Sequence, residues 1–376
     1  MVEWGGRLMA AWTRLTSGSF WIVMMLLSSS IISGCGSIGP STVNRDRFDY
    51  NTAISESWKK QALLNIVKLR YADTPVFLEV GQVISGYEVE GTFSAGGTIG
   101  NKTAPGALGD FVTLGGSGRY LDRPTVTHTP LTGADFIKTM VTPFPPGALM
   151  LLVEAGWPVE SVLQLGVQSI NGLRNHKGGL YGHPPDPEFV EVMTLLRRIQ
   201  QAEALSIVVQ REKETEHGMI LLFRTRHLTP ELANNVAAIK QLLRIKPEVN
   251  ELRITYGSDA QGDAELVLHT RSGYQVMIEL AALASVPPDH VVDHRTFGTE
   301  VAPADGRPAL PTLVSIHSRP EEPTDAFVRV RYRDHCFWID DRDFQSKRVF
   351  TFLTVLLTLG ETGQKIQQPV LTIRAN

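Results

Sequence analysis

The chain has 376 residues, of which 43% are hydrophobic and 20% charged, so it can bury at least one full core and is not disordered as a whole. Its 36 Lys and Arg residues against 39 Asp and Glu give a net charge of -3, and no basic run is long enough to follow a phosphate backbone, which excludes nucleic acid as an expected partner. Two cysteines are too few for a disulfide framework or a zinc cluster, so no metal or other cofactor is expected.

The N-terminal segment has the order of a secretory signal. Arg7 and Arg14 precede an apolar run from Phe20 to Ile32, which small residues follow. The run has 13 residues, whereas a helix needs about 20 to cross a bilayer. We therefore predict a signal peptide over residues 1–34 and not a membrane span.

Ile32-Ser33-Gly34-Cys35 resembles the bacterial lipobox, an aliphatic residue and two small residues before a cysteine. This resemblance implies cleavage between Gly34 and Cys35, a diacylglyceryl thioether on Cys35 and an added acyl chain such as palmitate. Three acyl chains would anchor the chain stably. Gly36 in place of Asp favours the outer membrane, facing the periplasm. The alternative is an ordinary signal peptide in which the cysteine stands by chance.

The mature chain is predicted to begin with an extended, lipidated tether over residues 35–47, which is rich in Gly, Ser, Pro and Asn. A domain over residues 48–204 follows and opens with a helix over 51–71. Ile54, Trp58, Ala62, Ile66 and Leu69 form one apolar stripe of this helix. Other apolar residues lie outside the stripe, so the helix is expected to pack against more than one neighbour.

Residues 76–129 are predicted to form a β-hairpin layer with a long flexible loop. Residues 76–80, 87–93 and 119–129 alternate at period two, and the glycine-rich stretch 94–118 cannot form a helix. Two interpretations are open. The favoured one is a peripheral sheet packed on its own domain. In the other, the hairpins of several copies pair through their edges into a ring.

Four helices are predicted in the rest of this domain, separated by prolines and glycines. They are expected at residues 132–141, 148–155, 158–171 and 187–204. His176 and His183 fall in the loop between the last two. Their spacing does not match that of metal ligands, so we expect them to be solvated.

Residues 205–285 are predicted to form a compact ββαββα unit. The strands are expected at 206–210, 219–225, 251–256 and 264–270, and the helices at 230–243 and 274–284. The proline-rich segment 286–324 is predicted to be a linker or surface loop without regular structure. The expected fold class is therefore α+β, with separate segments along the chain.

The C-terminal segment, residues 325–376, is predicted to form a hairpin, a helix and a strand. The hairpin covers 326–332 and 335–339, the helix 344–359 and the strand 369–373. Cys336 lies between His335 and two aromatic residues, so burial of its thiol is favoured over reactivity. Asp340, Asp341 and Asp343 precede the helix, where capping is favoured over cation binding.

Searches for catalytic motifs are negative. The chain has no phosphate-binding loop, no His-Glu-x-x-His helix and no Gly-x-Ser-x-Gly elbow. Ser57-x-x-Lys60 lacks the companion motifs of the penicillin-binding enzymes, so both residues are expected on the solvated side of the first helix. His335, Asp340 and Asp341 remain as weak catalytic candidates.

The chain resembles a group of bacterial lipoproteins with no assigned activity. The segments that carry this resemblance are residues 47–54, 63–71, 123–127 with 129–131, 169–173 and 337–343. It implies a shared envelope location and fold, and no activity. We therefore predict a non-enzymatic protein, bound to the membrane through its lipid, that acts through contacts with copies of itself or another envelope protein. The alternative is a periplasmic ligand-binding protein or hydrolase with a site near the C-terminal hairpin.

Overall fold

The computed structural model has a mixed α+β fold, which confirms the predicted class. It describes residues 38–84, 87–98, 111–122, 125–131, 134–212, 216–224, 228–260, 262–299 and 310–361. Nine helices and thirteen strands lie in these ranges. The predicted signal peptide, Gly34, Cys35 and the predicted strand 369–373 lie outside the described residues.

Helix α1 spans Ile38–Arg70. It therefore includes residues 38–47, for which the sequence predicts an extended tether. Pro40 stands in the first turn, where its missing N–H costs no helical hydrogen bond, and no further proline or glycine interrupts the helix before Arg70. Leu63, Ile66 and Val67 are fully buried, in agreement with a helix that packs on more than one side.

Four strands follow and form paired ribbons. They are β1 (Phe77–Ile84), β2 (Tyr87–Thr98), β3 (Phe111–Asp122) and β4 (Thr125–Leu131). Strand β1 pairs with β4, and β2 pairs with β3. The predicted hairpin layer is thus confirmed, although its strands reach further into the glycine-rich stretch than expected. Of the predicted loop, residues 99–110 lie outside the described part.

Helices α2 (Ala134–Val141), α3 (Pro146–Glu154), α4 (Val159–Gly166) and α5 (Pro187–Gln201) correspond to the four predicted ones. The prediction of a helix as far as residue 171 is wrong, because strand β5 (Val167–Ile170) directly follows α4. Such a short apolar run is ambiguous between helix and strand. The partner strand, which lies about a hundred residues later, decides the conformation.

The central sheet has six strands in the order β6-β5-β10-β9-β8-β7. Its remaining members are β6 (Leu173–Arg174), β7 (Leu205–Glu212), β8 (Glu216–Phe223), β9 (Glu251–Tyr256) and β10 (Glu265–Thr270). Only β9 and β10 are parallel neighbours. Helices α6 (Pro230–Leu242) and α7 (Gly273–Ala282) complete the predicted ββαββα order. Strands β5 and β6 extend the sheet beyond residues 205–285.

The proline-rich segment contains regular structure, contrary to the prediction. Helix α8 (Pro288–Val292) and strand β11 (His317–Arg319) lie within it. Leu313, Val314 and Ile316 are buried in the core, so apolar burial holds the segment in place despite its prolines.

The predicted C-terminal hairpin is confirmed. Strands β12 (Ala326–Tyr332) and β13 (His335–Asp340) pair antiparallel, β11 lies on the other side of β13, and helix α9 (Phe344–Glu361) follows. Arg333 and Asp334 both have positive φ, 46° and 63°. Two residues of this conformation form the tight turn whose twist matches paired strands.

The chain divides into two compact units. Among the described residues, one unit comprises those up to Ile54 together with Val80–Thr127, and the other comprises Ser55–Glu79 together with those from His128 onward. The residues of the hydrophobic core, from Ala62 to Leu357, all belong to the second unit. The described side chains of the first unit contribute none of them.

Candidate functional site

The residues that the sequence singles out at the C-terminal hairpin do not form one site. His335 begins strand β13 and Asp340 ends it, which separates them by about 16 Å at 3.3 Å per residue. Asp340 accepts a hydrogen bond from the Arg342 N–H at 2.8 Å, and Asp341 forms an ion pair with Lys347 at 2.7 Å. Both carboxylates are thus engaged locally, but neither accepts a hydrogen bond from a backbone N–H of helix α9, so the capping interpretation is wrong for these two residues.

Asp343 is the carboxylate that caps helix α9. Its Oδ1 accepts a hydrogen bond from the Ser346 N–H at 3.0 Å. Partial burial works to raise the pKa of Asp343, but the hydrogen bonds from Ser346 outweigh it and hold this pKa below its usual range. No group of three or more potential metal ligands occurs among the residues that the structure describes.

His335 belongs instead to an aromatic cluster that the sequence does not reveal, because its members come from the turn after α1, from α8 and from the C-terminal hairpin. The Tyr71 hydroxyl lies 2.7 Å from His290 Nδ1, and the rings of His290 and His335 lie 5.1 Å apart. The Tyr332 hydroxyl donates a hydrogen bond to Asp73 at 3.0 Å. The guanidinium of Arg333 covers the Tyr71 ring.

The Tyr71–His290 pair is suited to holding these elements together and not to catalysis. Burial raises the pKa of Tyr71 to about 12, and burial lowers the pKa of His290. Both groups are therefore neutral near pH 7, with the phenol donating to the imidazole. His290 is only 3% exposed, so a substrate has no access to its ring.

A second polar cluster joins helix α7 to the end of α4 and to the loop between β6 and α5. The buried Arg271 guanidinium donates to the carbonyl oxygens of Gln164 and Leu165 at 2.8 and 3.2 Å, and also to that of His176. Glu279 lies 3.6 Å from Arg271 and accepts the Gly178 N–H at 3.0 Å. His176, which we expected to be solvated, is half-buried, and its Nδ1 lies 3.1 Å from the Glu279 carboxylate.

An apolar cavity of about 610 Å³ lies between the end of α1, helix α2 and helix α7. Its walls include Leu69, Phe77, Phe136, Met140, Tyr274 and Ile278. The volume lies within the usual range for small-molecule sites. Asp73 is at the wall, but the lining offers no nucleophile with an adjacent base. This cavity suits retention of an apolar molecule and not its chemical conversion.

The residues of the β2–β3 ribbon whose burial is described are exposed, apart from Gly115 and Leu121, which are half-buried. Glu90, Thr92, Ala95, Ser117 and Tyr120 are all exposed, and they occupy both faces of the ribbon. These five side chains are therefore not packed in a core. Within the described part of the chain, neither β2 nor β3 pairs with a third strand, so each leaves one edge available for hydrogen bonding.

The pairing register divides the ribbon into two faces of different composition. Tyr87 lies opposite Asp122 and Thr98 opposite Phe111, with no bulge between these pairs, and directly opposed residues share a face. We call one face the apolar face; it comprises Tyr87, Val89, Gly91, Phe93, Ala95, Gly97, Val112, Leu114, Gly116, Gly118, Tyr120 and Asp122. The polar face comprises Glu88, Glu90, Thr92, Ser94, Gly96, Thr98, Phe111, Thr113, Gly115, Ser117, Arg119 and Leu121.

Comparison of the chain with protein-family models, curated proteins and solved structures finds no match. In the described residues, no helix is both long and apolar enough to cross a membrane.

Proposed function

We propose that the protein is a lipid-anchored protein of the bacterial cell envelope that functions by self-assembly through the β2–β3 ribbon. The observation that supports this most directly is an unbroken two-stranded ribbon of 12 residues per strand that has no third strand among the described residues. An isolated two-stranded hairpin is marginal in water. Pairing with neighbouring copies would supply the missing strands.

The edges of the ribbon lack the features that normally prevent such pairing. Neither strand contains proline or lysine, which proteins place on edges to block association. The charged residues Glu88, Glu90, Arg119 and Asp122 stand at one end, and the remainder of both strands is uncharged. The other end is therefore open to a further strand without charge repulsion.

The predicted lipid on Cys35 favours the same function. Acyl anchoring confines copies to one surface, which raises their effective concentration without any new contact. A weak edge-to-edge contact would then suffice for assembly. Localisation at the outer membrane, facing the periplasm, is part of this proposal and follows from the lipobox and Gly36.

The test is the native mass of the full-length protein after extraction from its own membrane in mild detergent. We expect a homo-oligomer, and its mass should fall in both of the variants Gly96→Pro and Gly97→Pro. Successive strand residues direct their N–H groups to opposite edges, so one proline blocks the outer edge and the other breaks the ribbon itself. A monomer in the wild type, or a complex with a different chain only, contradicts self-assembly.

A geometric test distinguishes a ring from a simple pair. In a ring, β2 of one copy lies beside β3 of the next, whereas a twofold dimer brings two identical strands together. A short bismaleimide should therefore join a mixture of Thr92→Cys and Ser117→Cys proteins, and neither protein alone. Cross-linking within one single variant would instead indicate a twofold dimer.

The apolar cavity supports a second candidate function, that of a ligand-binding protein. The C-terminal hairpin, where the sequence places the alternative site, contributes no residue to the cavity wall, although Tyr332 of the hairpin donates a hydrogen bond to Asp73 there. The uncharged dye 1-N-phenylnaphthylamine should bind there with enhanced fluorescence, and Met140→Trp should reduce binding by filling the space. Val292→Trp, at a residue that is 75% exposed, is the control. Equal dye binding by both variants would exclude the cavity as the site.

A further inference from the structure

The ribbon has a second contact surface besides its edges, and this inference rests on the proposed self-assembly. We infer that, in the assembled protein, the apolar face of the β2–β3 ribbon contacts the hydrocarbon of a lipid bilayer. The edges would bind neighbouring copies and the polar face would remain in water. The partner of the apolar face is thus a lipid surface.

The alternation along the ribbon is the first observation that supports this inference. On the apolar face, the pairs from Val89–Tyr120 to Gly97–Val112 include no charged residue, no Ser and no Thr. All Ser and Thr residues of the two strands lie on the polar face, together with Glu88, Glu90 and Arg119. Strands that have lipid on one side and water on the other show this period of two. A sheet that is solvated on both faces has no need of it.

The length of the ribbon is the second observation. On the apolar face, the pairs from Val89–Tyr120 to Gly97–Val112 cover nine residues of each strand. A strand that crosses the hydrocarbon layer at a tilt needs roughly 9–11 residues. The uncharged part of this face therefore reaches the lower end of that range.

The tyrosines are the third observation. Tyr87 and Tyr120 both lie on the apolar face, next to the charged end of the ribbon, and Tyr120 is 51% exposed. Tyrosine is enriched where membrane proteins meet the headgroup region, because its ring is apolar and its hydroxyl is polar. This end would lie at the headgroups, and the uncharged part of the face in the hydrocarbon.

Lipid contact requires the assembly for a physical reason. An unpaired backbone N–H or C=O costs several kcal/mol in hydrocarbon, and a single ribbon leaves such groups along both edges. Pairing with adjacent copies satisfies them. A single copy is therefore expected to stay at the surface, and the assembled form to enter the bilayer.

The experiment uses the full-length lipidated protein with one introduced cysteine that carries the fluorophore NBD. Ala95→Cys and Tyr120→Cys report on the apolar face, and Thr92→Cys and Ser117→Cys are matched controls on the polar face of the same strands. Protein without an introduced cysteine measures background labelling. Each protein is reconstituted into vesicles of phosphatidylethanolamine and phosphatidylglycerol, with and without nitroxide-labelled lipid.

We expect NBD emission to shift to shorter wavelength at residue 95 and, to a smaller extent, at residue 120 near the headgroups, with quenching by the nitroxide lipid at both. Emission at residues 92 and 117 should remain that of a label in water and be quenched by iodide. Oligomers in which all four labels respond as in water would overturn lipid contact and leave self-assembly intact. A shift at residues 95 and 120 in detergent-free oligomers without vesicles would indicate a protein partner for this face. Monomers would instead contradict the proposed function itself.

Discussion

At the scale of single residues, the buried groups of the two polar clusters are neutral or paired. Tyr71 and His290 share one hydrogen bond, and Arg271 is surrounded by carbonyl oxygens and the Glu279 carboxylate. Burial would be costly for any of these groups without such partners. These polar contacts therefore contribute to the stability of the fold.

His290 predicts a specific dependence of stability on pH. Its folded-state pKa is lowered by burial, so the unfolded chain binds a proton more readily near the ordinary pKa of about 6.5. The contribution of neutral His290 to the free energy of unfolding is complete above that pH and decreases as pH falls through it. Urea unfolding of the wild type and His290→Gln from pH 8 to pH 5 measures the difference. If the free energies of unfolding of the two proteins change in parallel with pH, His290 is not the responsible group.

Cys336 should be unreactive in the folded protein. It is 1% exposed, and burial raises the pKa of its thiol, so little thiolate is present at neutral pH. A maleimide should label Cys336 only when urea unfolds the chain, with labelling that follows the unfolding curve. Fast labelling in native buffer would contradict this placement.

At the scale of elements, Arg271 and Glu279 fix helix α7 to the loop between β6 and α5. The helix N-terminus has a complete capping box between Ser272 and Gln275. Removal of one partner from a buried ion pair leaves an uncompensated charge.

Arg271→Met should therefore lower the free energy of unfolding by about 3–5 kcal/mol. The matched control is Arg342→Met. Arg342 pairs with Asp325, but its side chain is 83% exposed, so the expected loss is under about 1 kcal/mol. Chemical denaturation of both variants measures the contrast, and equal losses would rule out a special role for the buried pair.

The β2–β3 ribbon should be separable from folding of the core. Among the described side chains, none from residues 87–122 belongs to the hydrophobic core. Replacement of this segment by two glycines should leave the urea midpoint nearly unchanged and abolish oligomers. A large loss of stability would show that the ribbon contributes to the fold, and intact oligomers would place the interface elsewhere.

At the scale of the whole molecule, we propose that one cysteine anchors the protein and that the other lies inside it. Cys35→Ser should abolish incorporation of labelled palmitate and release the chain from the membrane fraction, because the acyl chains are the expected anchor. Cys336→Ser should change neither palmitate incorporation nor membrane attachment. This variant is the control for the loss of a thiol elsewhere in the chain. Membrane attachment that survives Cys35→Ser would contradict the lipoprotein assignment.

Local pattern predicted most of the individual elements. Alternation located the strands of residues 205–285 and the C-terminal hairpin, and prolines marked the starts of α5 and α6. From the sequence, the β2–β3 ribbon, which is the candidate interface, is recognisable only as part of a glycine-rich hairpin layer. The register divides it into two faces, and sequence does not specify the register of a glycine-rich strand well. The Tyr71–His290 contact joins residues 219 positions apart, a separation that no local pattern spans.

By itself, the sequence determined the α+β class, most helices and strands, and the expectation of a lipid anchor at Cys35, because each depends on residues close together in the chain. Only the tertiary structure decided that Val167–Ile170 is a strand, that the proline-rich segment contributes buried side chains, and that His335 and the aspartates lie apart. These outcomes depend on the partner that each segment finds at long range, where burial and strand pairing outweigh local propensity. The exposure of the β2–β3 ribbon, on which the proposed function rests, belongs to the same group.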